Sequence, residues 1–281
     1  MATKSQLPHL IKLLDDHDPI VQAAVQAELW KSDGDVSAEL RELGLELSSS
    51  EEKNLSRAIA PARRARLERD WFVPENALKS AEGDWDTFEA ILQLISDFMH
   101  DGVHSRKLLS DTLDDIAADI QDKYAEPGIS EIIEEIFKSN KLVGNRTDYY
   151  SPYNSDLVWV LANGKGNPIS LATILMLIAR RLNVEVYGCN LPGHFLAQAM
   201  INGMPILIDS FTNGRQIEVN DLLSNPKKFS EVARAAIKTP CSLGIIIQRT
   251  LTNLKVSFDK NGNEQDALLV QKLIDSLKGH V

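Results

Sequence analysis

Cysteine is nearly missing from this chain. Cys189 and Cys241 are the only two among 281 residues, too few for a disulfide framework or a thiolate metal site and suited to a reducing compartment. No apolar stretch approaches the ~20 residues that cross a bilayer, and Met1 to Pro8 has none of the basic-then-apolar order of a secretory leader. The expectation is a soluble, cytoplasmic protein with no membrane partner. Positive charge is also in deficit: at a formal net charge of −10 the chain repels phosphate backbones unless its basic residues gather on one face. The densest group, Arg63, Arg64, Arg66 and Arg69 in "ARRARLERD", has no aromatic or glycine-rich nucleic-acid motif beside it. It reads as a solvated helix or linker surface, so no nucleic-acid partner is expected. P-loop, dinucleotide fingerprint and G-x-S-x-G elbow are absent, and the glycines of "NGKGNP" read as a loop capping the next helix. His100 and His104 have the i, i+4 spacing of helical zinc motifs, but Gly102 lies between them and no third ligand pattern is evident. Neither a metal nor another cofactor is expected.

Apolar residues make up 43% of the chain, enough to fill one large core or two ordinary ones. In "LPHLIKLLDDHDPIVQAAVQAELW", Leu7, Leu10, Ile11 and Leu14 share a helical face. Asp18-Pro19 then supplies an N-cap and first-turn proline for a second helix through Val21, Ala24, Val25 and Leu29. This hairpin resembles one HEAT unit, too little to stand alone as a solenoid. Gly44 to Glu52 is loop or helix-start chemistry, and a further helix is expected before about Pro74. A seam near residues 60 to 75 divides the chain into 1–74, a HEAT-like helical region, and 75–281, the main domain. Helical patterns follow at Asp84 to Met99, Leu108 to Tyr124 and Ile129 to Lys138.

"LVGNRTDYYSPYNSD" reads as an ordered loop, its Tyr149, Tyr150 and Tyr153 serving either to bind or to pack the loop down. Asn167-Pro168 opens "PISLATILMLIARRL", apolar on nearly every side, as a buried central helix is. Strands are expected at Val184 to Tyr187, His194 to Ile201 and Met204 to Asp209, the last two joined by the hairpin signal Asn202-Gly203. Leu243 to Leu254 and a helix from Ala267 to Leu277 close the chain as a helical hairpin turning at "KNGNE". The fold class is α+β: a helical N-terminal region, a central buried helix on a small antiparallel sheet, and C-terminal helices.

Cys189, His194 and Asp209 fall within one short stretch, which raises the question of a catalytic triad. A thiol nucleophile needs a base in hydrogen-bond reach and a third group to orient that base. Antiparallel pairing across the Asn202-Gly203 turn would bring His194 and Asp209 together. Cys189 precedes His194 by an odd spacing across Pro192-Gly193, which on a straight strand sets the two on opposite faces. It reads as a small apolar residue packed beneath the central helix.

The pieces "GNRTDYY", "GNPISL", "LPGHFL" and "DSFTNG", with "RTLTNLKVSF" after them, resemble the transglutaminase-like proteins of the SirB type from roughly Trp85 to Gly279. The resemblance implies a papain-like core whose central helix bears the nucleophile at its start, with His and Asp supplied by the sheet. The superfamily histidine falls on His194 and the aspartate on Asp209. Its cysteine, placed by aligning the helix through "ARRLNV", falls on Pro168, which has no nucleophile. Ser170, two residues on, is the nearest hydroxyl and reads as a first-turn polar residue serving free N–H groups.

Three functions are compatible with this pattern. The first is a non-catalytic binding or regulatory module with a degenerate triad, taking a peptide, protein or small polar ligand in a cleft lined by His194, Asp209 and Asn145, Asp148, Tyr149 and Asn154 of the aromatic loop. The second is an active hydrolase or acyl transferase using Cys189 or Ser170. The third is an assembly adaptor working through the N-terminal hairpin, whose apolar stripes would close a dimer or cover a core equally well. The absence of a nucleophile at Pro168 favours the first.

Overall fold

A computed structural model of the protein describes residues 5–219 and 230–278, so the outermost bounds of the two sequence regions, at 1 and 281, lie outside the described residues. Two compact units are present: Met1–Trp71 with Asp97–Arg106, and Phe72–Ser96 with Lys107–Val281.

The first unit contains α1 (Leu7–Lys12), α2 (Pro19–Leu29), α3 (Ser37–Glu42) and α4 (Ser49–Asp70). Asp18 caps α2 by accepting from Ile20 N at 2.8 Å, with Pro19 in the first turn where its missing N–H costs nothing. Ser48 and Glu51 form a capping box at the start of α4. Leu7, Ile11, Val25, Leu29, Leu40, Leu55 and Ile59 form this unit's core. The arginine-rich run is tied to its own unit. Arg63 donates to the Asp101 carbonyl at 2.5 Å, Arg66 pairs with Asp97 at 3.4 Å and Arg69 with Asp33 at 2.9 Å. His104 lies 2.6 Å from an Asp101 carboxylate oxygen and 3.3 Å from Glu52.

The second unit takes α5 (Trp85–Met99) as far as Ser96 and runs through α6 (Leu109–Lys123), α7 (Ile129–Glu134), β1 (Val143–Gly144), α8 (Leu157–Asn163), β2 (Lys165–Gly166) and α9 (Pro168–Arg181). After β3 (Val186–Cys189), β4 (Leu196–Ile201), β5 (Met204–Asp209) and β6 (Arg215–Glu218) come α10 (Glu231–Lys238), α11 (Leu243–Lys260) and α12 (Glu264–Ser276). All residues of α9 from Pro168 to Ala179 are buried, which explains a helix with no polar face. Around it pack α6, α7, α8, α11 and the sheet.

That sheet is antiparallel in the order β3-β4-β5-β6. The β4–β5 register runs from Ala197↔Ile208 to Ile201↔Met204. Its turn has Asn202 and Gly203 both at positive φ (50° and 76°), the backbone that a two-residue turn needs to follow the strands' twist. The fold is α+β, as the sequence leads one to expect, with local differences. β3 starts two residues later than the apolar pattern places it, and β4 begins at Leu196, leaving His194 in the preceding turn. β6, the polar edge strand "RQIE", and α10 have no counterpart in the sequence reading, because an exposed edge strand shows no apolar alternation.

Candidate functional site

His194 and Asp209 meet at the open end of the β4–β5 hairpin. The β4–β5 register ends at Ala197↔Ile208, and His194, in the turn just before β4, comes beside Asp209, the last residue of β5. Nε2 of the ring lies 3.2 Å from Asp209 Oδ1. A turn holds the ring in place, His194 N donating to Leu191 O at 3.1 Å with Gly193 at a φ of 77°. Asp209 is buried, and its Oδ1 also accepts from Thr212 N at 3.1 Å, capping the short turn Ser210–Thr212. Arg215 reaches Oδ2 at 3.5 Å. Burial pushes the Asp209 carboxyl up, but the hydrogen bonds from His194 and Thr212 together outweigh it and hold the group below the usual carboxylate value. The pair is a buried anion orienting a half-exposed imidazole.

No thiol completes it. Cys189 is fully buried with Leu196, Leu207, Val219 and Ile237, and its Sγ donates to the Ala236 carbonyl of α10 at 3.2 Å. The sequence reading sets it beneath the central helix. The structure sets it against α10, an element that reading did not contain. Burial pushes its thiol up to about 12, and burial with the neighbouring Cys189 does the same to Cys241. Nucleophilicity requires the thiolate, so both are poor nucleophiles at neutral pH.

At the start of α9, Pro168 is buried in the first turn. Ser170 is 1% exposed. Its Oγ lies 2.6 Å from Asn154 O and 2.9 Å from Asn167 Oδ1, and accepts from Asn167 N at 3.1 Å. A hydroxyl has one proton, and the shortest contact directs it to Asn154 O.

The 145–154 loop divides the other four candidate residues into two pairs. Asn145 and Asn154 are buried and hold the loop: Asn145 Nδ2 donates to Asn154 Oδ1 at 2.9 Å, and Asn154 Nδ2 donates to the carbonyls of Asp148 and Tyr149 at 2.9 and 3.0 Å. Asp148 and Tyr149 are exposed. The Tyr149 ring meets Phe211, two residues past Asp209, edge to face at 6.0 Å, while Tyr153 stacks on Trp159 and packs the loop down. Gly144 allows Phe211 to approach, since a Cβ there would lie 2.6 Å from the Phe211 carbonyl.

Sequence reasoning missed the cations around this pair. Arg146 stands 5.1 Å over the Phe211 ring, Arg215 flanks Asp209, and Arg249 of α11 donates to Leu191 O at 3.0 Å, the carbonyl that also anchors His194. The one available signal was a single charge within the apolar run of "LGIIIQRTL".

Residues 107–252 match the family profile of the transglutaminase-like superfamily. The chain is 36% identical over 137 residues to a UPF0162 protein of Xylella fastidiosa (strain 9a5c), covering 47% of this chain and 48% of that one. To a UPF0162 protein of Pseudomonas aeruginosa it is 28% identical over 189 residues, 64% and 68% of the two chains. To F-box only protein 21 of Homo sapiens it is 28% identical over 148 residues, 50% of this chain and 23% of that one. The aligned part spans about half the length of the Xylella relatives. No solved structure matches.

Proposed function

The chain belongs to the transglutaminase-like superfamily, and on that premise we propose that it is a non-catalytic member of the SirB type, whose cleft beside His194 and Asp209 binds a peptide or small polar ligand. The observation that carries this reading is the occupation of every candidate nucleophile. Pro168, the position that the resemblance gives to the superfamily cysteine, has no nucleophile, the Ser170 hydroxyl is directed to Asn154 O, and the Cys189 thiol is directed to Ala236 O. What remains is a half-exposed imidazole beside exposed Asp148 and Tyr149, a polar and aromatic rim of the kind that recognises ligands.

A protein partner belongs to the same reading. The HEAT-like N-terminal helices expose Ile20 and Trp30, apolar side chains suited to docking. A cytoplasmic setting agrees with two free cysteines, and no described helix is long and apolar enough to cross a membrane.

The test is turnover. Purified protein, offered activated esters, peptide amides and glutamine-containing acyl donors, should release no product above the rate of His194→Ala. Turnover that disappears in His194→Ala sinks the non-catalytic reading. Deleting residues 1–60 addresses the docking surface: loss of a partner with the second unit still folded supports it, and an undiminished complex removes it.

A further inference from the structure

Arg249 is a partly buried cation that no carboxylate among the described residues answers. It lies on α11 among buried Ile246, Ile247, Thr250 and Leu251, and is itself only partly exposed. Its Nη1 donates to Leu191 O at 3.0 Å and to Asn190 Oδ1, and its guanidinium carbon lies 5.8 Å from the Phe195 ring centroid. Both acceptors are neutral. Among the described residues no carboxylate pairs with it, and the groups that act on its charge are the Tyr149 phenol and the Cys241 thiol. Burial pushes the guanidinium below its ordinary value, yet an arginine stays protonated in a protein.

Acids are plentiful here, 40 Asp and Glu against 30 Lys and Arg, and the protein uses them elsewhere. Arg181, comparably placed, is bridged to Glu89 at 2.8 Å and to Asp114 at 2.5 Å. A partly desolvated cation left without an anion is unfavourable by an amount that a bound anion would recover. With Nη1 engaged, Nε–H and Nη2–H have no described acceptor. They form the edge on which a guanidinium grips a planar anion through two parallel hydrogen bonds.

Arg249 is tied to the turn that carries His194. Leu191 O accepts from both Arg249 Nη1 and His194 N, and Tyr149, the electrostatic neighbour of Arg249, touches Phe211 just past Asp209. We propose that Arg249 is the anion anchor of this cleft and that the ligand carries a carboxylate, held side-on by Nε and Nη2 beside the Tyr149 ring. The proposal rests on the cleft being a binding site. One guanidinium edge, with two parallel N–H donors, suits a monoanion with two oxygens. A phosphate dianion would bring a second negative charge towards ionised Asp209, which His194 and Thr212 already satisfy. The carboxylate could be an acidic side chain or a chain terminus, since both present the same two oxygens.

NMR of the full chain tests this by following the Arg249 Nε–Hε and His194 ring signals. The probes are acetyl-Ala-Glu-Ala-amide (side-chain carboxylate only), acetyl-Ala-Gln-Ala with a free C-terminal carboxylate, acetyl-Ala-Gln-Ala-amide (neither) and inorganic phosphate. At least one carboxylate peptide should move both signals at millimolar concentration, about tenfold more tightly than the neutral peptide, the cost of one charge-assisted contact. Which of the two binds identifies the source. Arg249→Gln should abolish the preference, and Arg249→Lys, which keeps the charge but loses the fork, should retain only part of it. If Arg249→Gln fails to fold, the lysine variant alone decides, because full affinity there overturns the side-on grip. Equal binding of neutral and acidic peptides, with the His194 signals moving, overturns the anchor and leaves the cleft reading intact. Phosphate binding in preference to carboxylate overturns the ligand class. Silence at both signals with every probe overturns the anchor and the cleft reading together.

Discussion

The Ser170 hydroxyl lies 2.6 Å from the main-chain oxygen of Asn154, so the first turn of the central helix is stitched to the loop that carries Asp148 and Tyr149. The Ser170 Oγ also accepts from Asn167 N. One buried side chain therefore starts α9, fixes the loop and removes itself as a nucleophile.

Replacing Ser170 by alanine leaves the buried Asn154 carbonyl and Asn167 N–H each without that partner. Unsatisfied buried groups of this kind cost about 1–3 kcal/mol, so Ser170→Ala should lower the urea midpoint while leaving any background ester hydrolysis unchanged. An unaltered midpoint would show that the stitch contributes nothing to stability.

Pro168→Cys would place a thiol in the first turn of α9, at the position that the resemblance gives to the superfamily cysteine. A thiol at a helix start that an imidazole can reach has a depressed pKa. Iodoacetamide should label it faster than Cys189, and His194→Ala should slow the labelling. Equal labelling with and without His194 would move the superfamily's nucleophile position elsewhere on the chain.

Cys189 and Cys241, both pushed up to about 12 by burial, should resist alkylation in the folded protein across neutral pH and react only on unfolding. Site-resolved mass spectrometry gives the two rates. Fast native labelling of Cys189 that depends on His194 would revive a thiol mechanism.

The Asp209 carboxyl lies below its ordinary value of 3.8 when folded. A depressed folded value means that the unfolded chain takes up the proton first as pH falls. The stabilisation is therefore complete above the unfolded value and lost as pH drops through the folded one. Denaturation curves for the wild type should weaken through this window below about pH 4, and Asp209→Asn should be less stable above it and flatter within it. Parallel acid limbs for the two proteins would mean that His194 and Thr212 do not hold the carboxylate.

Much of this was legible from local chemistry. Asp18-Pro19, Asn167-Pro168 and Asn202-Gly203 each contain their own structural instruction, and the structure uses each one as read. The meeting of His194 with Asp209 was suggested by antiparallel pairing of the two segments that the Asn202-Gly203 turn joins. What failed was nonlocal. The neighbours of Cys189 come from α10, 47 residues away at Ala236, and no pattern around the cysteine announces them. Asn145 and Asn154 read as cleft residues from their place in a polar loop, and the hydrogen bond from Asn145 Nδ2 to Asn154 Oδ1 that joins them was not visible in that reading. Arg249 was visible as a charge in an apolar helix, but the lack of a counter-ion is a property of the assembled surroundings.

The β4–β5 hairpin has two ends with opposite duties. His194 and Asp209 occupy one. Asn202 and Gly203 occupy the other, exposed, with open space where a Gly203 side chain would stand. The six residues of β5 separate the two by roughly 20 Å at strand rise. A peptide tag or fluorophore spliced between Asn202 and Gly203 would sit on a rigid stem whose far end is the cleft, giving the protein a handle for capture experiments without obstructing the surface being probed.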